Sequence, residues 1–262
     1  MSIFFRASIP PRIEKIILLG LFFLICILAW VTLFFNHDLA HISHSFGLHH
    51  HMGHTKNYVV LFIAGWTIMT VAMMLPTTLP VIAFFHKISS QHRNRILLMA
   101  LVIVGYIGTW LVFGILIFIQ IKILSLFIST KPVLSRYSWT FAPLVIIGAG
   151  LFQFSSLKYK CLDKCRSPFG FVMEHWQGTR DKWNSLKLGI DHGIFCIGCC
   201  WALMLLMFAV GYGSLFWMLI LALVMGVEKN ARWGRKISKP VGICLLLLGL
   251  SILIISYKNL SE

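Results

Sequence analysis

Long apolar runs alternate along the chain with short clusters of Lys, Arg and His. Seven runs fall at roughly 16–35, 58–85, 96–121, 139–157, 191–211, 214–228 and 240–256. Most approach the length an α-helix needs to cross the roughly 30 Å hydrocarbon core of a bilayer. Lipid offers no partners to backbone N–H and C=O groups, so helices that satisfy their own are expected. The pattern therefore predicts an all-α fold, a polytopic transmembrane helical bundle of about seven spans. Pro76 and Pro80 predict a kink or break in the second run. The carbonyls freed there need new donors or a water-lined cavity. Gly211-Tyr212-Gly213 predicts a tight hairpin between the fifth and sixth runs, and Pro168 the end of a short turn.

Composition sharpens the class. Of 262 residues, 58% are hydrophobic and 12% charged, where a soluble domain carries about 25% charged residues. That excludes a disordered chain, a collagen and an ordinary soluble enzyme. The net charge of +15 would suggest nucleic acid in a soluble chain. Here 18 of the 23 Lys and Arg fall at the N-terminus and in the segments 86–95, 158–190 and 229–239, all on one side of the expected membrane. The positive-inside rule then predicts a cytoplasmic N-terminus, an external C-terminus and a multi-pass location in the cell (inner) membrane. The expected partner is the lipid bilayer, with no nucleic acid. The first run is too long for a signal peptide and lacks a small-x-small cleavage site, so it reads as a retained helix. Residues 1–57 form an N-terminal helix plus an external His-rich loop. Residues 58–256 form a helical membrane domain with a cytoplasmic, Cys-containing loop at 158–190.

Soft metal ligands recur at three depths. Outside, residues 36–54 hold His37, His41, His44, His49, His50, His51 and His54, a composition suited to metal capture. In the second run Met69 and Met73 are four apart and share a helix face; thioethers favour Cu(I) and carry no charge into the membrane. On the inner side Cys161 and Cys165 are four apart, and His175 follows. The fifth run opens with His192, Cys196, Cys199 and Cys200, and Met204 lies one turn on. At 100° per residue these share one helix face. The cytoplasm is reducing, so thiols at this spacing read as metal ligands rather than disulfides. The expected inner site is Cys161, Cys165, His192, Cys196, Cys199 and Cys200, with His175 as a further ligand. Met69, Met73 and Met204 form a passage. Asp191 and Glu174 are candidates to orient a histidine, and Arg166 to offset thiolate charge or bind lipid headgroups. Cys26 and Cys244 sit alone in apolar runs and read as core.

Together these residues make a recognisable pattern. Trp66-x2-Met69-x3-Met73-Met74-Leu75-Pro76 leads into Gly105-Tyr106 and Trp110. Gln153, Leu157-Lys158 and Cys161-x3-Cys165-Arg166-Ser167-Pro168 follow, then His175-Trp176, Gly178 and Gly189. His192-Gly193-x2-Cys196-x-Gly198-Cys199-Cys200-Trp201-Ala202-Leu203-Met204 is its most specific stretch, and Trp217-Met218, Glu228-Lys229 and Gly234 close it. Over about residues 58–255 the chain resembles the bacterial and archaeal family of predicted metal-binding integral membrane proteins, which implies metal binding without an established reaction. The first run and the His-rich loop lie outside the resemblance.

Thiol and thioether together favour Cu(I), with zinc the alternative. The expected function is copper transport, or delivery to a copper enzyme, with metal passing from external His through membrane Met to inner Cys and His. A cuproenzyme or metallochaperone is the corresponding partner. No P-loop is present, and Asp191 and Glu228 read as lying at the cytoplasmic ends, so downhill conduction or ligand exchange fits better than pumping. The competing readings are an accessory subunit of a larger membrane complex and a membrane thiol–disulfide oxidoreductase. No His stands at mid-span to ligate haem.

Overall fold

The computed structural model describes residues 11–35, 57–90, 92, 94–130, 140–175, 181–210 and 215–261. Their regular structure is helical throughout. The elements are α1 (Pro11–Phe35), α2 (Asn57–Met73), α3 (Leu79–Ser89), α4 (Arg95–Thr130), α5 (Phe141–Phe152), α6 (Ser156–Arg166), α7 (Pro168–His175), α8 (Asp181–Val210), α9 (Leu215–Asn230) and α10 (Gly234–Ser261). α8 is the hub and packs against α4, α5, α6, α7 and α9. Around it α10 packs on α5 and α9, α1 on α2, and α2 and α3 on α4.

Three described helices, α4, α8 and α10, are long and apolar enough to cross a membrane. Counting the bent pairs α2–α3 and α5–α6 as broken spans makes five. The described apolar part of α1, Leu19–Phe35, and the 16 residues of α9 are shorter.

The proline break forms where expected. α2 stops at Met73, a short 3₁₀ turn runs over Pro76–Thr78, and α3 leaves at 42°. Side-chain donors reach three of the carbonyls around the break. Trp30 Nε1 reaches Ala72 O at 3.0 Å. Thr77 Oγ1 and Tyr106 OH reach Met74 O at 2.7 and 3.3 Å. Thr78 Oγ1 reaches Leu75 O at 2.7 Å. The second bend, 64° between α5 and α6, starts a new helix because extended Ser155 caps it, its Oγ accepting from Lys158 N at 3.2 Å. The 158–190 segment, expected as a loop, thus holds α6, α7 and the first turns of α8. Pro168 begins α7 and Asp181 stands in the first turn of α8, both favourable positions.

Small residues bring α8 onto α4. A Cβ on Gly189 would overlap Val102 O, and one on Gly105 would meet Leu186 O at 2.5 Å. A Cβ on Gly193 would lie 2.8 Å from the Thr109 side chain. Gly105/Thr109 and Gly189/Gly193 are each four apart, so both helices present a small stripe to the other.

Two lysines read as loop charges are instead buried. Lys158, 0% exposed, donates to both Glu228 carboxylate oxygens at 2.8 Å and to Gln153 Oε1. Ser238 Oγ donates to Glu228 Oε1 at 2.9 Å. The network joins α6, α9 and α10 and buries Glu228 at the end of α9. Lys229 is buried beside it. Arg166 turns toward α9. It caps the end of α9, donating to Glu228 O at 2.7 Å, Ala231 O at 2.6 Å and Arg232 O at 3.0 Å.

Removing one member of a buried ion pair strands the other charge and costs about 3–5 kcal/mol. Glu228→Ala is therefore expected to lower the thermal midpoint of the purified protein strongly. The double change Lys158→Met with Glu228→Leu should recover much of that loss. Gly189→Leu should prevent the α4–α8 contact and yield aggregated protein in size-exclusion chromatography.

Candidate metal centre

The helical spacing of Cys196, Cys199 and Cys200 turns all three into the core, each 2% exposed or less. Five further elements surround them. α4 contributes Tyr106, the α2–α3 break contributes Met74 and Thr77, α6 contributes Cys161 and Cys165, α7 contributes Phe171 and α9 contributes Lys229.

Sulfur atoms converge at the centre. Cys196 Sγ lies 3.0 Å from Tyr106 OH and 2.8 Å from Lys229 Nζ. Cys200 Sγ lies 3.6 Å from Met74 Sδ and 3.7 Å from Lys229 Nζ. Met74 Sδ is itself 3.7 Å from Lys229 Nζ, and Thr77 Oγ1 is 3.3 Å from it. One ammonium is thus ringed by two cysteines, a methionine and a hydroxyl. Cys199 and Cys200 also donate to Cys196 O, at 3.1 and 2.8 Å, which holds their rotamers along α8. Cys165 interacts electrostatically with Cys199 across the α6–α8 contact.

Cys161 stands at the edge of this group, partly exposed. Its sulfur rests on Gly198, where an added Cβ would lie 2.5 Å from it. A side chain at 198 would have to displace that sulfur between α6 and α8. His192 is buried one turn before Cys196. Its ring packs against Tyr106 and Phe171, at centroid separations of 5.6 and 5.5 Å. Its Nδ1 has no hydrogen-bond partner among the described residues. Buried nitrogens are rarely left so, and imidazole nitrogen is a donor that soft and borderline metal ions accept.

The structure therefore gathers Cys165, Cys196, Cys199 and Cys200, sets Cys161 at their edge and places His192 against the Tyr106 ring. Met69, Met73 and Met204 are buried in the same core. The methionine that meets a thiol is Met74, the neighbour of the expected Met73. His37, His41, His44, His49, His50, His51 and His54 lie outside the described residues, as does the side chain of His175, which ends α7. Glu174 ion-pairs with Lys164 at 3.0 Å on the surface. Cys26 is buried as expected, whereas Cys244 is exposed on α10 and is not core. All seven cysteines are free of disulfides.

Sequence reasoning missed Met74, Thr77, Tyr106 and Lys229 as site residues. Met74, Tyr106 and Lys229 stood within the motif pattern, but nothing in the linear order said that their side chains meet. Lys229 had been absorbed into the count of topological charge. Among the described residues no three His, Cys, Asp or Glu side chains converge closely enough to hold an ion by themselves. The third sulfur comes from a methionine, and the point of convergence holds an amine. Thiol, thioether and an unpartnered imidazole are a soft donor set, fitted to Cu(I) before harder cations.

No curated protein and no solved structure matches the chain. A family model described as copper chaperone, PpoB2, matches residues 63–252. The matched stretch contains every element of the sulfur cluster, and α1 lies outside it. With well over half its residues in that match, the chain belongs to the PpoB2 family of copper chaperones.

Proposed function

We propose that this protein is an integral membrane copper chaperone that holds Cu(I) as cargo in its sulfur cluster and hands it to a copper enzyme. The observation that carries this reading is the meeting of Cys196, Cys200 and Met74 sulfurs at one buried point. Cys161, Cys165, Cys199 and His192 surround that point as further ligands for capture and transfer. His175 belongs to the same inner set. A ligand-exchange chaperone needs several competing donors of similar softness within reach, so the ion moves from one to the next without a free intermediate.

Membrane insertion is supported by the apolar residues left on the outer faces of the longest helices. Val104, Leu116 and Leu126 on α4 and Ile243, Leu247 and Ile254 on α10 are exposed. Contiguous apolar faces of that length are unusual on a soluble monomer. Seven spans, with the N-terminus inside and the C-terminus outside, agree with the distribution of basic loops. In that orientation the histidines of 37–54 collect metal outside. Met69, Met73 and Met204 mark the passage, and the thiols receive the ion. Donor softness rises along this route from imidazole to thioether to thiol, which favours inward movement of copper.

Protein purified anaerobically with Cu(I) is expected to carry at least one copper per chain by elemental mass spectrometry. The Cys196→Ser/Cys200→Ser variant should lose it. Zinc in place of copper would make this a zinc site, and unchanged copper in the variant would sink the assignment. Replacing the seven loop histidines with Ala should leave the stoichiometry of the purified protein unchanged. It should slow copper uptake by reconstituted vesicles severalfold at low external copper.

A further inference from the structure

The residue at the centre of the sulfur cluster is a cation. Lys229 sits on α9 at 7% exposure, and its Nζ touches Cys196, Cys200, Met74 and Thr77. The neighbouring carboxylate is unavailable as a partner. Glu228 is engaged by Lys158 and Ser238, and no carboxylate appears among the described contacts of Lys229. A buried ammonium needs compensation in a low-dielectric interior, and here the sulfur cage supplies it. An ion that used those same sulfurs would need the space the ammonium fills.

A vacant space adjoins it. A crevice of about 370 Å³ lies between α1, the α2–α3 break and α9, lined by Trp30, Met73, Pro76, Thr77, Ala222 and Asn230. Thr77 is the common wall, facing the crevice on one side and the Lys229 ammonium at 3.3 Å. Asn230, the residue after Lys229, also lines it. The crevice is largely apolar, with Thr77 and Asn230 as its polar members, and lysine carries its charge on a flexible four-carbon stem that can reorient with α9 in place.

We propose that Lys229 is the resident cation of the sulfur cage, and that Cu(I) binds by exchanging with its ammonium, which withdraws past Thr77 into the crevice. This rests on the copper reading of the cage and adds its regulation. For a given protonation of the thiols, the exchange replaces one positive charge by another, so the charge among the sulfurs does not change; any thiol that ligates as thiolate releases its proton whichever ion enters. A divalent ion entering the same cage would raise it by one in a medium that screens poorly. The device thus favours monovalent copper over zinc, and it keeps the empty cage compensated and closed to adventitious metals. The competing arrangement is a Lys229 that stays in place as a permanent counter-charge beside bound copper.

Three measurements decide this. In the wild-type protein, Lys229 should be inert to an amine-acylating reagent without metal. On anaerobic addition of Cu(I) its acylation, read by peptide mass spectrometry, should rise severalfold. Unchanged labelling would overturn the exchange. Lys229→Leu removes the competitor without adding a ligand. In competition with a Cu(I)-specific chelator it should bind copper about tenfold more tightly or better, because no charge-assisted hydrogen bond need be broken on loading. Equal or weaker binding would show that Lys229 is a permanent counter-charge and overturn the proposal. Cys196→Ser/Cys200→Ser in the same titration isolates the underlying reading. If that variant keeps its copper, the cage assignment itself fails, and the exchange with it.

Discussion

Gly189 and Gly193 let the backbone of α8 rest directly on Val102, Gly105 and Thr109 of α4, and the geometry of the sulfur cluster follows from that closeness. Tyr106 sits one residue beyond Gly105 on the same contact face. Its hydroxyl comes to 3.0 Å from Cys196 and also satisfies the Met74 carbonyl freed by the helix break. A side chain at either glycine would push the helices apart, and with them the tyrosine that ties α8 to the α2–α3 break. A second tight contact repeats the device, with Gly198 making room for the sulfur of Cys161. Small residues at such crossings let the backbones approach closely and gain dense packing contacts.

Burial of charge shapes the opposite side of the cluster. Two consecutive residues of α9, Glu228 and Lys229, are both interior and point to different partners. Glu228 takes Lys158 and Ser238, and Lys229 takes the sulfurs. One pair locks the helices together and the other places a cation among two thiols and a thioether. The expense of leaving either charge uncompensated binds the two arrangements to each other. Arg166 completes the corner by closing the carbonyls at the end of α9.

Much of this was legible beforehand where a local rule governs it. The helical class followed from run length, the break from Pro76 and Pro80, and the inward face of α8 from the spacing of Cys196, Cys199 and Cys200. Other features were misread for equally physical reasons. Lys158 and Lys229 stand at the ends of apolar runs, where a basic residue usually faces water, so both passed as topological charge. Cys244 lies in an apolar run yet is exposed, because periodicity within a uniformly apolar helix does not say which face meets a neighbour. The 158–190 segment is polar enough to pass for a loop, and its helices are held by caps and by packing on α8.

What the sequence by itself determined is the chemistry present and its placement along each helix: soft donors on one face of α8, a thiol pair on α6 and a proline-broken α2. These follow from periods of 3.6 residues and from the fixed φ and missing N–H of proline. What only the tertiary structure decided is which donors share a point in space. Met74 rather than Met73 meets a thiol, Tyr106 reaches Cys196, and the Lys229 ammonium lies at the focus of the sulfurs. The positions concerned are up to 155 residues apart in the chain. Their meeting depends on helix crossing and rotation, which are set by small-residue contacts and buried charge pairs and not by any local pattern.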